Sequence, residues 1–193
     1  MKKQYIIPIF VPHLGCPNDC IFCNQRKISG QMKNVTENDV RDTIEFYLSN
    51  FKESNAHIEV AFYGGSFTGI DVELQNKLLQ AAYDYIKEKK VHSIRVSTRP
   101  DYIDKDTLKR LRKYKVKTIE LGVQSTNNFV LDRCKRGHTF EDVKNASKVA
   151  ILGQTVVNEL FGDMDLYDET IVDFLIGIAR SISLSLGLNN RSP

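Results

Sequence analysis

The sequence predicts an α/β protein built from parallel βα units. Two observations carry that prediction. Short apolar, β-branched runs alternate with stretches whose apolar residues recur three and four apart. Each run is followed by a loop of glycines and small polar residues before the next helical stretch. That order builds right-handed crossovers, and it suits either an open doubly wound sheet or a barrel.

The elements read in order as follows. "YIIPIFVP" (4–11) is a buried strand. "VTENDVRDTIEFYLSNF" is a helix with Thr36 at its N-cap and Asp39 placed for a capping box. "HIEVAFYGG" (57–65) is the second strand, and residues 72–89 the second helix. "SIRVSTRP" (93–100) is the third strand, followed by the helix "IDKDTLKRLRKY". "KTIELGVQS" (117–125) is the fourth strand. "NNFVLDRCKRG" and "TFEDVKNASKVAIL", the latter capped by Thr139, complete four βα units. A fifth unit is expected from "GQTVVNELFGD" and an almost wholly apolar helix over 168–188, which a partner chain or second copy would cover. The division expected is 1–150 as the core and 151–193 as a divergent or truncated strand–helix segment.

Bulk properties set the class. The chain has 193 residues, 41% hydrophobic and 26% charged, ordinary values for a soluble globular protein. It holds no apolar run long enough to span a membrane. The basic-then-apolar N-terminus lacks a small-residue cleavage site, so a cytoplasmic protein is expected. The net charge of +3 is uneven. Residues 151–193 hold two Arg and six acidic residues, which leaves about +7 on residues 1–150. Such a body permits a nucleic-acid or phosphate-bearing partner.

In such folds, ligands collect at the C-terminal ends of the strands. The unusual loops lie there: Cys16–Cys23, "YGGSF", "STRPD" and "GVQS". Cys16, Cys20 and Cys23 are clustered and Cys134 is remote, a poor arithmetic for disulfides. A closed zinc site needs four ligands. His13 or Cys134 is available as the fourth, yet the usual pair of two-ligand knuckles is absent. Three thiolates on a cubane [4Fe–4S] cluster leave one iron without a protein ligand, and an open position is the mark of a catalytic site.

"GCPNDCIFC" resembles the signature of the radical S-adenosylmethionine (SAM) superfamily. "VPHLGCPNDCIFCNQRKISG", "FYGGSFTGI", "STRPDYID" and "ELGVQSTNNFVLDRCKRGHT" resemble its Elongator catalytic-subunit-like branch. More distantly they resemble the oxygen-independent coproporphyrinogen oxidase branch. The resemblance implies a partial barrel of parallel βα units, of which four are clear and a fifth is a candidate. It implies a [4Fe–4S] cluster on Cys16, Cys20 and Cys23 and SAM on the open iron, cleaved reductively to a 5′-deoxyadenosyl radical. A ferredoxin- or flavodoxin-type reductant is then a partner, and tRNA is the substrate inherited from the branch.

Carried over residue by residue, Phe22 matches the aromatic near the adenine. Gly64, Gly65 and Ser66 match the glycine-rich motif that approaches the SAM amino group. Ser97 stands where related sequences often carry a glutamate for the ribose hydroxyls. Arg99 is placed for the SAM carboxylate or a substrate anion, or else for an ion pair with Asp101. Gln124 matches the SAM-lining position. Ser125, Arg136 and His138 are substrate-side candidates, and Tyr63 and His13 lie at the pocket edge. A second reading keeps the metal and drops the catalysis: a cluster- or zinc-binding fragment with an incomplete SAM pocket. After about residue 150 the resemblance fades, with "LFGD" (160–163) standing where a glycine–proline turn is expected.

Overall fold

The computed structural model describes residues 3–12, 18, 20, 21, 23, 35–52 and 56–147. Its strands are β1 (Gln4–Val11), β2 (His57–Gly64), β3 (Ser93–Thr98) and β4 (Val116–Leu121). Between them run α1 (Glu37–Asn50), α2 (Val72–Lys87) and α3 (Lys105–Lys113), and after β4 come α4 (Asn128–Arg133) and α5 (residues 140–147). All three strand pairings are parallel, in the order β1-β2-β3-β4. A doubly wound sheet reverses its strand order at a switch point; this one does not, so it is an arc of a βα barrel. The fifth strand and the 168–188 helix expected from the sequence lie outside the described residues.

One face of the sheet makes the core. Ile7, Ile9, Val11, Val60, Phe62, Ile94, Val96, Ile119 and Leu121 are all buried. They belong to one cluster with Val40 and Ile44 of α1, Leu78, Leu79 and Ala82 of α2, and Leu111 of α3. The opposite face is different: Ile6 and Phe10 are exposed, and β2 to β4 place Glu59, Arg95 and Glu120 on it. β1 tolerates Pro8 because, in this sheet, it pairs on one side only.

The helix starts are local chemistry. Thr36 and Asp39 form the expected capping box on α1. Asp71 and Asp104 accept from Leu74 N and Thr107 N to cap α2 and α3. Thr139 and Asp142 make the same reciprocal pair at the start of α5. The Asp84 carboxylate on α2 accepts from Arg41 of α1 at 3.0 Å, and from Gln80 and Lys87 of its own helix. The hydrogen bond from Lys87 is the largest cause holding its pKa down at about 2.

The loop after β2 is stapled from below. Gln75, fully buried, donates from Nε2 to Thr68 O at 3.1 Å and Ile70 O at 2.7 Å. Its Oε1 accepts from Arg110 Nε at 3.2 Å, tying α2 to α3. Gln75→Ala leaves two carbonyls and a cavity unfilled, so it should cost about 2–4 kcal/mol in urea unfolding. An unchanged midpoint would show that the staple is idle.

Asp84 gives a pH test. A carboxylate with a lowered folded pKa adds stability above its unfolded pKa and loses it as pH falls through the folded value. Wild-type stability should therefore fall between about pH 4 and pH 2 more steeply than that of Asp84→Asn, as read by thermal melting across that range. Parallel curves for the two proteins would contradict the assignment.

Candidate functional site

The C-terminal ends of the strands are joined by a buried guanidinium. Arg99, just past β3, is 3% exposed. Its Nε and Nη2 donate to the two carboxylate oxygens of Asp101 at 2.9 and 2.7 Å. Its Nη1 donates to the Arg136 carbonyl at 2.9 Å. In the amide orientation that satisfies both partners, Asn18 Oδ1 accepts from Arg99 Nη2 at 3.2 Å. A single side chain thus ties β3, the turn after α4 and the cysteine segment.

That turn also seats Cys20. The thiol, 5% exposed, donates to Lys135 O at 3.6 Å and accepts from Arg136 Nη1 at 3.7 Å. Ile21 N donates to Cys134 O at 3.3 Å, and Cys23 N to Cys20 O at 2.9 Å. Cys23 is half-buried. Gly137 takes φ +74°, and a Cβ there would fall 2.5 Å from the Asn18 side chain. Glycine is needed for both reasons: the left-handed backbone and the room for Asn18. Cys16, Phe22 and His13 lie outside the described residues.

Arg136, read from the sequence as a substrate-side candidate, is buried at 9% exposure. Besides Cys20, it reaches Gly122 O from Nη2 at 2.6 Å. Its Nε has no partner among the described residues. A Cβ on Gly122 would lie 2.8 Å from that guanidinium. His138, 5% exposed, pairs through Nε2 with Val123 O at 3.2 Å, and its Nδ1 has no partner among the described residues. Burial first, then the Arg136 charge, pushes its pKa down. The ring is therefore neutral, with Nε2–H donating and the Nδ1 lone pair unspent.

The remaining expected residues divide in two. Ser66 is spent inside: its hydroxyl bonds Thr98 Oγ1 at 2.7 Å and accepts from Arg99 N at 3.2 Å, while Thr68 bonds the same Thr98 hydroxyl. Ser125 accepts from Asn127 N at 3.1 Å in a local turn. Gln124 and Ser97, both half-buried, carry no side-chain hydrogen bond among the described residues. Gln124 holds φ +68°, a strained conformation for a non-glycine residue. Gly64, at φ +126°, packs so closely on β1 that a Cβ would overlap the Val11 carbonyl oxygen. Gly65 follows it, half-buried, at the head of the loop.

Sequence reasoning missed Asn18, Gly122 and Gly137, and the polar face with Glu59, Arg95 and Glu120. Its signal was present: "HIEVAF", "IRVST" and "TIELG" each set a charge between apolar residues at strand period. A hollow lined by Glu45, Leu48, Ala56, Ile58, Lys90 and His92 lies at the other end of the strands, away from this site.

The seat of the cysteine segment is testable through the Cys20 thiol. Gly137→Ala should expel Asn18 and raise the alkylation rate of Cys20 by about tenfold or more, through local opening, in the metal-free protein. Mass spectrometry of iodoacetamide-treated samples reads it. An unchanged rate would mean that Gly137 does not hold the segment.

Comparison with known proteins places this geometry. The radical SAM superfamily model matches residues 10–175. The tRNA uridine(34) acetyltransferase of Methanocaldococcus infernus is 29% identical over 109 residues, 48% of this chain and 20% of that protein. A putative methylthiotransferase of Methanocaldococcus jannaschii is 27% identical over 144 residues, 72% of this chain and 31% of that protein. This chain therefore spans a fifth to a third of those relatives. Among solved structures, the Elp3 of Methanocaldococcus infernus superposes with TM-score 0.53 at 21% identity, over 76% of this chain and 35% of that one. Coproporphyrinogen III oxidase from Escherichia coli, described as a radical SAM enzyme, gives 0.51 at 16% identity, over 80% and 35%. The parallel arc, the strand-end site and the family match over most of the length lead to one conclusion: the chain belongs to the radical SAM superfamily.

Proposed function

We propose that this chain is a SAM-dependent radical enzyme of the Elongator-like branch, with Cys16, Cys20 and Cys23 holding a [4Fe–4S] cluster and a tRNA uridine as substrate. The observation that carries the reading is the Cys20 seat. A thiol buried at the strand ends faces a guanidinium, and Cys23 follows it in the same turn. The Arg136 guanidinium lies 3.7 Å from the Cys20 sulfur, a cation beside a candidate ligand. Two sulfur donors, Cys20 and Cys23, in one turn with a cationic neighbour suit an iron–sulfur cluster. Bound there, the cluster and SAM supply one-electron chemistry, the reductive cleavage of a carbon–sulfur bond in SAM.

The chain's own residues do the positioning. Arg99 fixes the cysteine segment against β3. Arg136 sets a positive charge beside the Cys20 thiol, and its Nε has no partner among the described residues. Gly64 lets β2 close on β1, and Gly65 leaves the loop backbone open to a ligand. Ser97 and the Gln124 amide, without side-chain hydrogen bonds among the described residues, stand at the same strand ends, and Phe22 is assigned to the adenine by resemblance. Ser66 contributes through the shape of its loop, because its hydroxyl is spent on Thr98. His138 stays neutral and braces Val123.

Two further features support the RNA substrate. Relatives at 29% identity are tRNA uridine(34) acetyltransferases. Arg133 and Lys135 are exposed on the turn that carries Arg136, where a phosphate can reach them. No helix among the described residues is long and apolar enough to cross a membrane, and a cytoplasmic enzyme reduced by a ferredoxin or flavodoxin suits the chemistry.

The test is anaerobic reconstitution with iron and sulfide, then dithionite and SAM. The expected product is 5′-deoxyadenosine, and Cys20→Ala should lose both bound iron–sulfide and product. Cluster binding without SAM cleavage would refute the catalytic reading. Binding of a tRNA anticodon stem-loop should weaken steeply with salt; salt-independent binding would refute a phosphate-reading surface.

A further inference from the structure

Positive charge is spread unevenly over the three helices that cover the sheet. α1 carries one basic and four acidic residues, α2 two of each, and α3 five basic residues and one acidic. Lys115 and Lys117 follow at once, so residues 105–117 set seven cations against Asp106. Lys105, Lys109, Arg112, Lys113 and Lys115 are exposed. Lys105, Lys109 and Lys113 recur every fourth residue and so form one stripe, about 12 Å long at the rise of an α-helix. Thr107 and Leu111, on the other side of α3, are buried.

Helix stability does not account for the stripe. Cations in the last turn gain from the helix dipole, which covers Arg112 and Lys113. Lys105 stands in the first turn, where a cation is disfavoured, and like charges four residues apart repel. Lys109 pairs with Asp106 at 3.1 Å, but both side chains are largely exposed and the pair is weak. The stripe also has a direction. α3 is capped by Asp104, shortly after Asp101, the partner of Arg99, and it ends just before Val116 opens β4 beside Ile94. It therefore runs from the candidate site to the opposite end of the sheet. There the rings of Tyr83 and Tyr114 meet at 6.1 Å, with Lys87 over the first and Lys113 over the second.

We propose that α3 and the turn after it form a track for the phosphate backbone of an RNA stem, leading away from the strand-end site. Phosphate contacts need cations and N–H donors and no apolar anchor, which is the composition of the patch. A protein partner would want an apolar or aromatic centre, and a lipid surface would want apolar side chains to bury beside the cations. No large apolar residue between Lys105 and Lys117 is exposed. At about 3.4 Å of axis per phosphate on each strand of a duplex, the stripe faces roughly three or four successive phosphates. A stem supplies them and a mononucleotide does not. The inference rests on the proposed RNA substrate, and it assigns the surface that holds the body of that RNA, apart from Arg133 and Lys135 beside the site.

The experiment titrates the full chain with an RNA stem-loop, and with its loop alone as a short single strand, by fluorescence anisotropy at several salt concentrations. Lys105→Gln, Lys109→Gln and Lys113→Gln combined should weaken stem-loop binding about tenfold at low salt. The slope of log affinity against log salt should become shallower by about two to three. Binding of the short strand should change by less than about twofold, because it does not reach the track. Lys52→Gln, Lys77→Gln and Lys144→Gln combined remove three exposed cations from elsewhere and should leave stem-loop binding within about twofold of wild type. Equal losses in the two triple variants would reduce the effect to net charge and overturn the proposal. Unchanged affinity and slope in the α3 variant would overturn it alone. Preferential binding to anionic vesicles or to an acidic peptide, lost in the α3 variant, would give the track another occupant and overturn it as well. Failure of wild type to bind the stem-loop at all would overturn the proposed RNA substrate with it.

Discussion

The Arg99 guanidinium is the constraint on which the site depends. A buried cation must be paired and its N–H groups satisfied, or it costs several kcal/mol. Its partners come from three remote places: Asp101 after β3, the Arg136 carbonyl after α4, and Asn18 in the cysteine segment. Because one rigid fork must meet all three, their relative positions are set together. The glycines follow from this. Gly137 admits Asn18, and Gly122 leaves room for the second guanidinium that lies beside it.

The sheet supplies the frame by having two unlike faces. Parallel strands are usually covered on both sides and read as continuous apolar runs. Here β2, β3 and β4 alternate, with the apolar set against the helices and the Glu59–Arg95–Glu120 bridge on the other side. An ion bridge of this kind adds little stability over an apolar core. It does fix orientation, because the Arg95 fork joins three adjacent strands at two carboxylates. The arc of the barrel therefore meets its interior with a polar wall whose geometry is set by charge pairing.

What was legible in the sequence was local. The capping box of Thr36 and Asp39, the Asp104 cap and the strand runs each depend on a few neighbouring residues, and the structure has them. The Arg99–Asp101 pair, two residues apart, was readable for the same reason. The errors lie where distant segments meet. β4 was expected through Ser125 and ends at Leu121, because Val123 N turns back to Leu121 O and Gln124 goes left-handed. Ser66 was matched to the glycine-rich motif as a whole, and the tie of its hydroxyl to Thr98, 32 residues on, had no local signal. Glu59 and Glu120 meet through Arg95 only once the register is known.

The two arginines also exchange weight. By sequence, Arg99 was placed for a ligand anion or for an ion pair with Asp101, while Arg136 was a substrate-side candidate. In the structure Arg99 is committed on both edges: Nε and Nη2 to Asp101, Nη1 to a carbonyl. Moving it onto a ligand would strand the Asp101 charge and release Asn18. Arg136 is anchored by Nη2 alone to a carbonyl and faces the thiol with Nη1, and its Nε has no partner among the described residues. A buried N–H without an acceptor has more to gain from an incoming anion than one already paired. The capacity to receive negative charge therefore rests on Arg136, and Arg99 acts through it by holding its carbonyl.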